Sequence, residues 1–281
     1  MSTQEIGALI ESVNDLTQTV AGKMGEIDQK VDQATASVPN TIRLMSSVNY
    51  HVSNDGSDEV GDGTSGKPFK TILHAIKQAI PGSLVTIALK DNQEYICESN
   101  QHHNSSNGKD ILITSYGSTG IKPTLRFRMT KDSNGGFGES YICNYFEGSS
   151  FSISFHKVNL IHEPIADGGT PYTSDSFGGV ITRGTSGGGG MDISVRFSDS
   201  PVTTGDHPFI TGQMGYVNLH MNYSPITKGG EVERFMPGSG LPLARMIGLK
   251  NTAISGFSSN LPKDLFGYDE TRVSEVVGQG I

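Results

Sequence analysis

Apolar residues near the start of the chain recur at alternating steps of three and four: Ile6, Leu9, Val13, Leu16 and Val20, then Met24, Ile27, Val31, Ala34 and Val38. This spacing keeps them on one face of an α-helix. The stripe takes about two residues in seven, too narrow to pack on a sheet and right for a coiled-coil seam. Two successive steps of four, Leu16 to Val20 to Met24, make a stutter that unwinds a left-handed supercoil locally without breaking the seam. Ser2 or Thr3 suits the N-cap, with Glu5 placed for a capping box, and Pro39 is expected to end the helix. Residues 1–40 therefore read as a stalk, whose helical part of about 34 residues would be about 50 Å long. Gly7, Gly22 and Gly25 each cost up to about 1 kcal/mol in a helix interior, so the stalk needs partner chains to persist. Ile6, Leu9, Val13, Leu16, Val20, Met24, Ile27 and Val31 are the expected oligomerisation residues. β-branched residues at one seam position and leucines at the other favour, by packing alone, a parallel dimer.

From residue 83 onward the period changes to two. LVTIAL, DILITSY, FSISFHKVNLI, GGVITRG, MDISVRF, YVNLHMNY and MIGLKNTAISGF alternate apolar and polar positions between Gly, Ser, Asn and Asp clusters, as half-buried strands do. FHKVNLI and GLKNTAISGF have the form of two strands joined by a corner of one or two residues. Ile193 to Val217 and Val217 to Ile247 are taken as equivalent positions one coil apart in a solenoid. A β-sandwich or jelly roll in the C-terminal half is the alternative, because repeats this irregular do not separate the two.

Between these regions, residues 41–82 read as a linker and a capping strand, loop and helix. Tyr50 and Val52 form the strand, and the Asp and Gly cluster from Asn54 to Gly66 makes turns. Pro68 is expected to open a helix that carries Phe69, Ile72, Ile76 and Ile80 on one face and stops at Pro81-Gly82. Asp55, Asp58 and Asp62 lack the closing Glu of a calcium loop and are read as turn residues. Strand, N-D-G-S-D, Gly loop, K-P-F-K-T-I and A-I-K-Q-A-I, from Tyr50 to Ile80, resemble the opening segment of the pectate-lyase-like superfamily, which is common in phage tail spikes and tail fibres. The resemblance covers some 35 residues and implies a right-handed parallel β-helix over residues 83–281. With the coiled coil before it, the chain looks like a phage tail-fibre protein. That implies a homotrimer, against the dimer of the packing rule, and the trimer is favoured. It also implies a place on the virion after synthesis in the host cytoplasm. The N-terminal helices would dock to another virion protein, and the body would attach to host-surface polysaccharide. A glycan depolymerase and a collar or attachment protein without a receptor role are the alternatives.

Composition agrees with many short strands and turns. Of 281 residues 36 are Gly, while hydrophobic residues reach 35% and charged residues 18%, below the usual share of each. A net charge of −8 disfavours nucleic acid as a partner. No apolar run is long enough to span a bilayer, the first residues lack a signal-peptide pattern, and no membrane insertion is expected. Cys97 and Cys143 match no metal-ligand spacing and are expected as buried free thiols; no cofactor and no metal are expected. If Ile193, Val195 and Phe197 point inward, Asp192, Ser194 and Arg196 point outward; the same holds for Val217, Leu219 and Met221 against Asn218 and His220. His156, Asp192, Arg196, Asn218 and His220 are therefore candidate glycan contacts along one polar stripe. The ordinary reading of the same stripe is a solvated β face. Glu231, Glu233 and Arg234 form a second cluster, and His102-His103 lack a third metal ligand nearby. The Gly187 to Gly190 run lacks the context of a phosphate cradle. No pair of carboxyl groups can be placed by spacing at the separation glycoside hydrolysis needs, so no catalytic residue is assigned and the chain is not expected to be an enzyme.

Overall fold

A computed structural model of the chain describes residues 2–98, 106–131, 140–165, 169–172, 178–182, 191–212, 215–236, 243–267 and 275–280. It comprises two compact units, Met1–Ser46 and Ser47–Ile281. The first is a single helix, α1, Thr3–Ser46. The Ser2 amide donates to Glu5 Oε2 at 2.7 Å and the Glu5 amide to Ser2 Oγ at 3.4 Å, the reciprocal pair of a capping box. The stripe lies open on the isolated helix, with Leu16 64% and Met24 60% exposed.

The helix does not stop at Pro39. A proline removes one backbone hydrogen bond and crowds the carbonyl four residues before it, but it leaves the following residues free to stay helical. They have reason to: Ile42, 60% exposed, continues the stripe four residues after Val38. The 44-residue helix is thus about 66 Å long, and residues 41–46 belong to it and not to a linker. No helix among the described residues is long and apolar enough to cross a membrane.

The second unit is mainly β. Its large sheet has eight parallel strands in chain order: Ser47–Val52, Leu84–Lys90, Asp110–Tyr116, Ser150–His156, Met191–Ser198, Gly215–Asn222, Leu243–Lys250 and Glu275–Gly280. A second sheet has six parallel strands, also in chain order: Glu94–Glu98, Thr124–Arg128, Asn159–His162, Val202–Thr204, Ile226–Lys228 and Ile254–Ser255. Phe146–Glu147, Ile181–Thr182 and Ile210–Thr211 make a third, three-stranded parallel sheet. Thr130–Lys131 and Tyr141–Ile142 are the antiparallel exception among the described strands. The antiparallel pairing that a sandwich or jelly roll requires in the C-terminal half is not found there: each described pair in that half is parallel.

Corners between the large and second sheets are built alike. His156, Ser198, Asn222 and Lys250 end strands of the large sheet, and the next residues, Lys157, Asp199, Tyr223 and Asn251, take positive φ of 57°, 50°, 51° and 49°. Their amides keep the ladder going, with Lys157 donating to the Ser198 carbonyl, Asp199 to Asn222 and Tyr223 to Lys250. One residue further on, Ser200 and Ser224 are buried; each hydroxyl donates to the carbonyl two residues back, and Ser224 Oγ accepts from the Ser200 amide at 3.1 Å. The corner in FHKVNLI has two residues between strands and that in GLKNTAISGF three. Val217 pairs with Arg245, not with Ile247, which pairs with Leu219. The insertion before Leu243 hides the true register, because apolar residues two apart look equivalent in a period-two strand.

Inside the body Phe127, Phe146, Phe155, Phe197, Phe209, Phe235 and Phe266 are fully buried. Phe155 stacks on Phe197 at 5.2 Å and Phe209 on Phe235 at 5.3 Å. Cys97 and Cys143 are buried free thiols, and burial pushes Cys97 up to about 12. Helix α2, Ile72–Gln78, packs on the first two strands of the large sheet through Ile72, Ala75 and Ile76. It starts later than Pro68 because Phe69 is held extended, its N–H donating to the His51 carbonyl and its carbonyl accepting from the Ser53 N–H. Asp58 then accepts from the Lys70 and Thr71 amides, and Thr71 Oγ1 accepts from the His74 amide as the N-cap. Asp62 closes a turn on Thr64, and Asp55 meets Lys90 at 3.2 Å. Helix α3, Pro262–Phe266, buries Leu265 and Phe266.

Candidate functional site

Period-two alternation puts one set of residues of the large sheet into the core and the other outside. Ile193, Val195, Phe197, Val217, Leu219 and Met221 are at most 1% exposed, so their neighbours in sequence face outward. Parallel pairing aligns these outward residues into rows across the strands. One row runs Leu112, Ser154, Arg196, His220, Gly248 and Gly278; the next runs His156, Ser198, Asn222, Lys250 and Gly280. Asn218 stands one row to the other side, opposite Ser194 and Met246, and Asp192 a further row away, opposite Tyr216.

Of the five expected contacts, Arg196 and His220 are thus direct neighbours and His156 sits in the adjoining row, beside Ser198. His156 Nδ1 lies 3.4 Å from Thr114 Oγ1. Asp192 stands two rows from Arg196, some 13 Å along the same strand at about 3.3 Å per residue. Asn218 flanks His220, and the amide oxygens of Asn218 and Asn222 are sheltered from solvent without a hydrogen-bond partner.

Around the two rows lies a cleft of about 390 Å³ lined by Arg196, Ser198, His220, Asn222, Gly248 and Lys250, with Phe197, Met221 and Leu249 beneath. Its floor depends on Gly248, since a Cβ there would fall 2.7 Å from His220 Nδ1. Asn222, Gly248 and Lys250 were not among the residues picked from sequence. The N-Y-S-P-I and K-N-T-A-I corners that follow the two strands carry the signal for them, because aligning those corners aligns Asn222 with Lys250.

The second acidic cluster is not a site of this kind. Glu233 accepts from Lys228 Nζ and, at 2.8 Å, from the Ser258 amide; these bonds, the Lys228 one first, hold its carboxyl below the usual range. The Glu231 amide donates to Asp206 while its side chain and that of Arg234 stay exposed. His102, His103 and residues 187–190 lie outside the described residues. A second cleft of about 400 Å³ beside the start of α2 includes Glu94, whose carboxylate is taken by Arg126 at 2.7 Å.

Comparison with known protein families, with curated proteins and with solved structures gave no match to this chain.

Proposed function

We propose that this chain is the subunit of a trimeric virion fibre or spike of a tailed bacteriophage, docked to the particle through α1 and attached to host-surface glycan through its body. The observation that carries the reading is an apolar stripe left open from Ile6 to Ile42 on a 44-residue helix. An isolated helix cannot offset that exposure, whereas parallel copies would bury it in one seam. Ile6, Met24 and Ile42 are 18 residues apart in succession, five turns at 3.6 residues each, so the seam stays on one face with little supercoiling.

In the body, the chain passes from the large sheet through the second and, in three successive rounds, the third before re-entering the large sheet at the adjacent strand. We read this as the winding of a parallel β-helix, right-handed by the general preference of parallel crossovers. A rigid stack of this kind presents a regular outer face, and the rows around Arg196 and His220 supply donors at fixed spacing for sugar hydroxyls and acidic groups.

Light scattering on the full chain tests the assembly: a trimer is expected, and Leu16→Asp should dissociate it. A monomer at micromolar concentration would refute the stalk. Binding of the trimer to host cells before and after periodate treatment tests attachment. Undiminished binding to oxidised cells would refute glycan as the receptor, and new reducing ends released from bound polysaccharide would move the reading to a depolymerase.

A further inference from the structure

Resting on the reading of the body as a glycan-attachment module, we infer that the cleft over Arg196, His220 and Lys250 takes an acidic polysaccharide, with successive carboxylates held by the guanidinium and the ammonium. The cleft brings two cations without a carboxylate partner onto one surface, and other body cations without one among the described residues, such as Lys70, Lys77 and Lys157, do not line it. Lys90, Lys122, Arg126, Arg128 and Lys228 each have a carboxylate partner, whereas neither Arg196 nor Lys250 has one within ion-pairing distance among the described residues. The nearest acid in sequence, Asp199, is drawn off by Lys122 at 2.7 Å. No carboxylate occupies either of the two rows. In a chain of net charge −8, two unpaired cations on one face with a histidine between them mark a place for an external anion.

Spacing favours a polymer over a small anion. Arg196 and Lys250 stand two strands and two residues apart, about 12 Å between Cα atoms at roughly 4.8 Å per strand and 3.3 Å per residue. Two charges at that distance match a repeating anion better than a single carboxylate. Gly248 leaves the position beside His220 without a side chain, a trough into which a chain can lie. Asn222, which lines the same cleft, adds a polar side chain beside the two cations. Single-stranded nucleic acid is a poorer fit, because the outward residues of the two rows include no Phe, Tyr or Trp for base stacking.

The test is a glycan array of matched pairs, each uronate- or sialate-bearing chain beside its carboxyl-reduced counterpart, probed with the full-length oligomer. Binding to at least one acidic member and not to its reduced partner is expected, weakening with salt and falling about tenfold in Arg196→Ala and in Lys250→Ala. Gly248→Ala, which keeps every charge and pushes the His220 ring into the trough, should also weaken it. Equal binding to both members of the pairs, or binding untouched by the two charge variants, would overturn the acidic site while leaving glycan attachment standing. Binding to no member of either kind would overturn both. Loss of oligomer mass in the charge variants would show instead that the cleft receives another copy of the chain.

Discussion

Lowering the pH should cost this protein stability through one buried histidine. His162 ends a strand of the second sheet with its side chain fully enclosed, its ring 6.3 Å from that of Phe209, and neither ring nitrogen makes a hydrogen bond of good geometry. Burial, helped by the charge of the neighbouring His207, lowers its pKa from 6.5 to about 3, and Asp206 and the His207 backbone pull it back only in part. The folded state therefore holds His162 neutral where the unfolded chain takes up a proton. Stability is unaffected above pH 6.5 and is lost as pH falls from there toward 3. At about 1.4 kcal/mol per pH unit, the loss from this group by pH 5 is about 2 kcal/mol. His162→Phe removes the titration and the two unpartnered nitrogens at nearly constant volume. Urea unfolding at fixed protein concentration, at pH 7.5 and pH 5, should show the parent losing about 2 kcal/mol more than the variant across that interval. Groups remote from His162 are common to both proteins and cancel in the difference. Equal losses in parent and variant would refute the reasoning.

Three further substitutions probe other parts of the chain. Lys109 donates from its ammonium to the Ile76 carbonyl near the end of α2 at 2.7 Å in a buried setting, so Lys109→Met should cost about 1–3 kcal/mol in urea unfolding. Phe209 stacks on Phe235 and meets Phe127 and Phe197 edge-on, and Phe209→Ala should destabilise the body by about 3–5 kcal/mol. Gly22 lies off the apolar stripe with open space around an added Cβ; Gly22→Ala should stabilise α1 by about 1 kcal/mol per chain, read as a higher melting temperature of the helical signal.

How much of this was legible in the sequence varies by element. The three-four spacing from Ile6 to Val38 is a local property of consecutive residues, and it gave the helix, its cap at Ser2 and its bare stripe. The helix runs past Pro39 because a proline's local cost says nothing of whether the stripe continues beyond it, as Ile42 does. Likewise Pro68 suits a helix start on intrinsic grounds, yet Phe69 is claimed by the neighbouring strand and the start moves to Thr71.

Alternation of period two determined which residues of the strands face inward, so Arg196 and His220 were correctly placed outside. It could not determine which strand lies beside which, or in what register. A period-two pattern is unchanged by a shift of two residues, so Ile247 and Arg245 are indistinguishable by spacing as partners of Val217. The partners are fixed by long-range backbone pairing and by the corners, where the Asp199 amide bonds to the Asn222 carbonyl, the Tyr223 amide to the Lys250 carbonyl and the Ser200 amide to Ser224 Oγ. The sequence by itself therefore determined the helix and the two faces of the large sheet. Only the tertiary structure decided that Arg196, His220, Gly248 and Lys250, spread over 55 positions of chain, meet in one cleft, because parallel strands become neighbours only after an intervening excursion whose length the strands themselves do not encode.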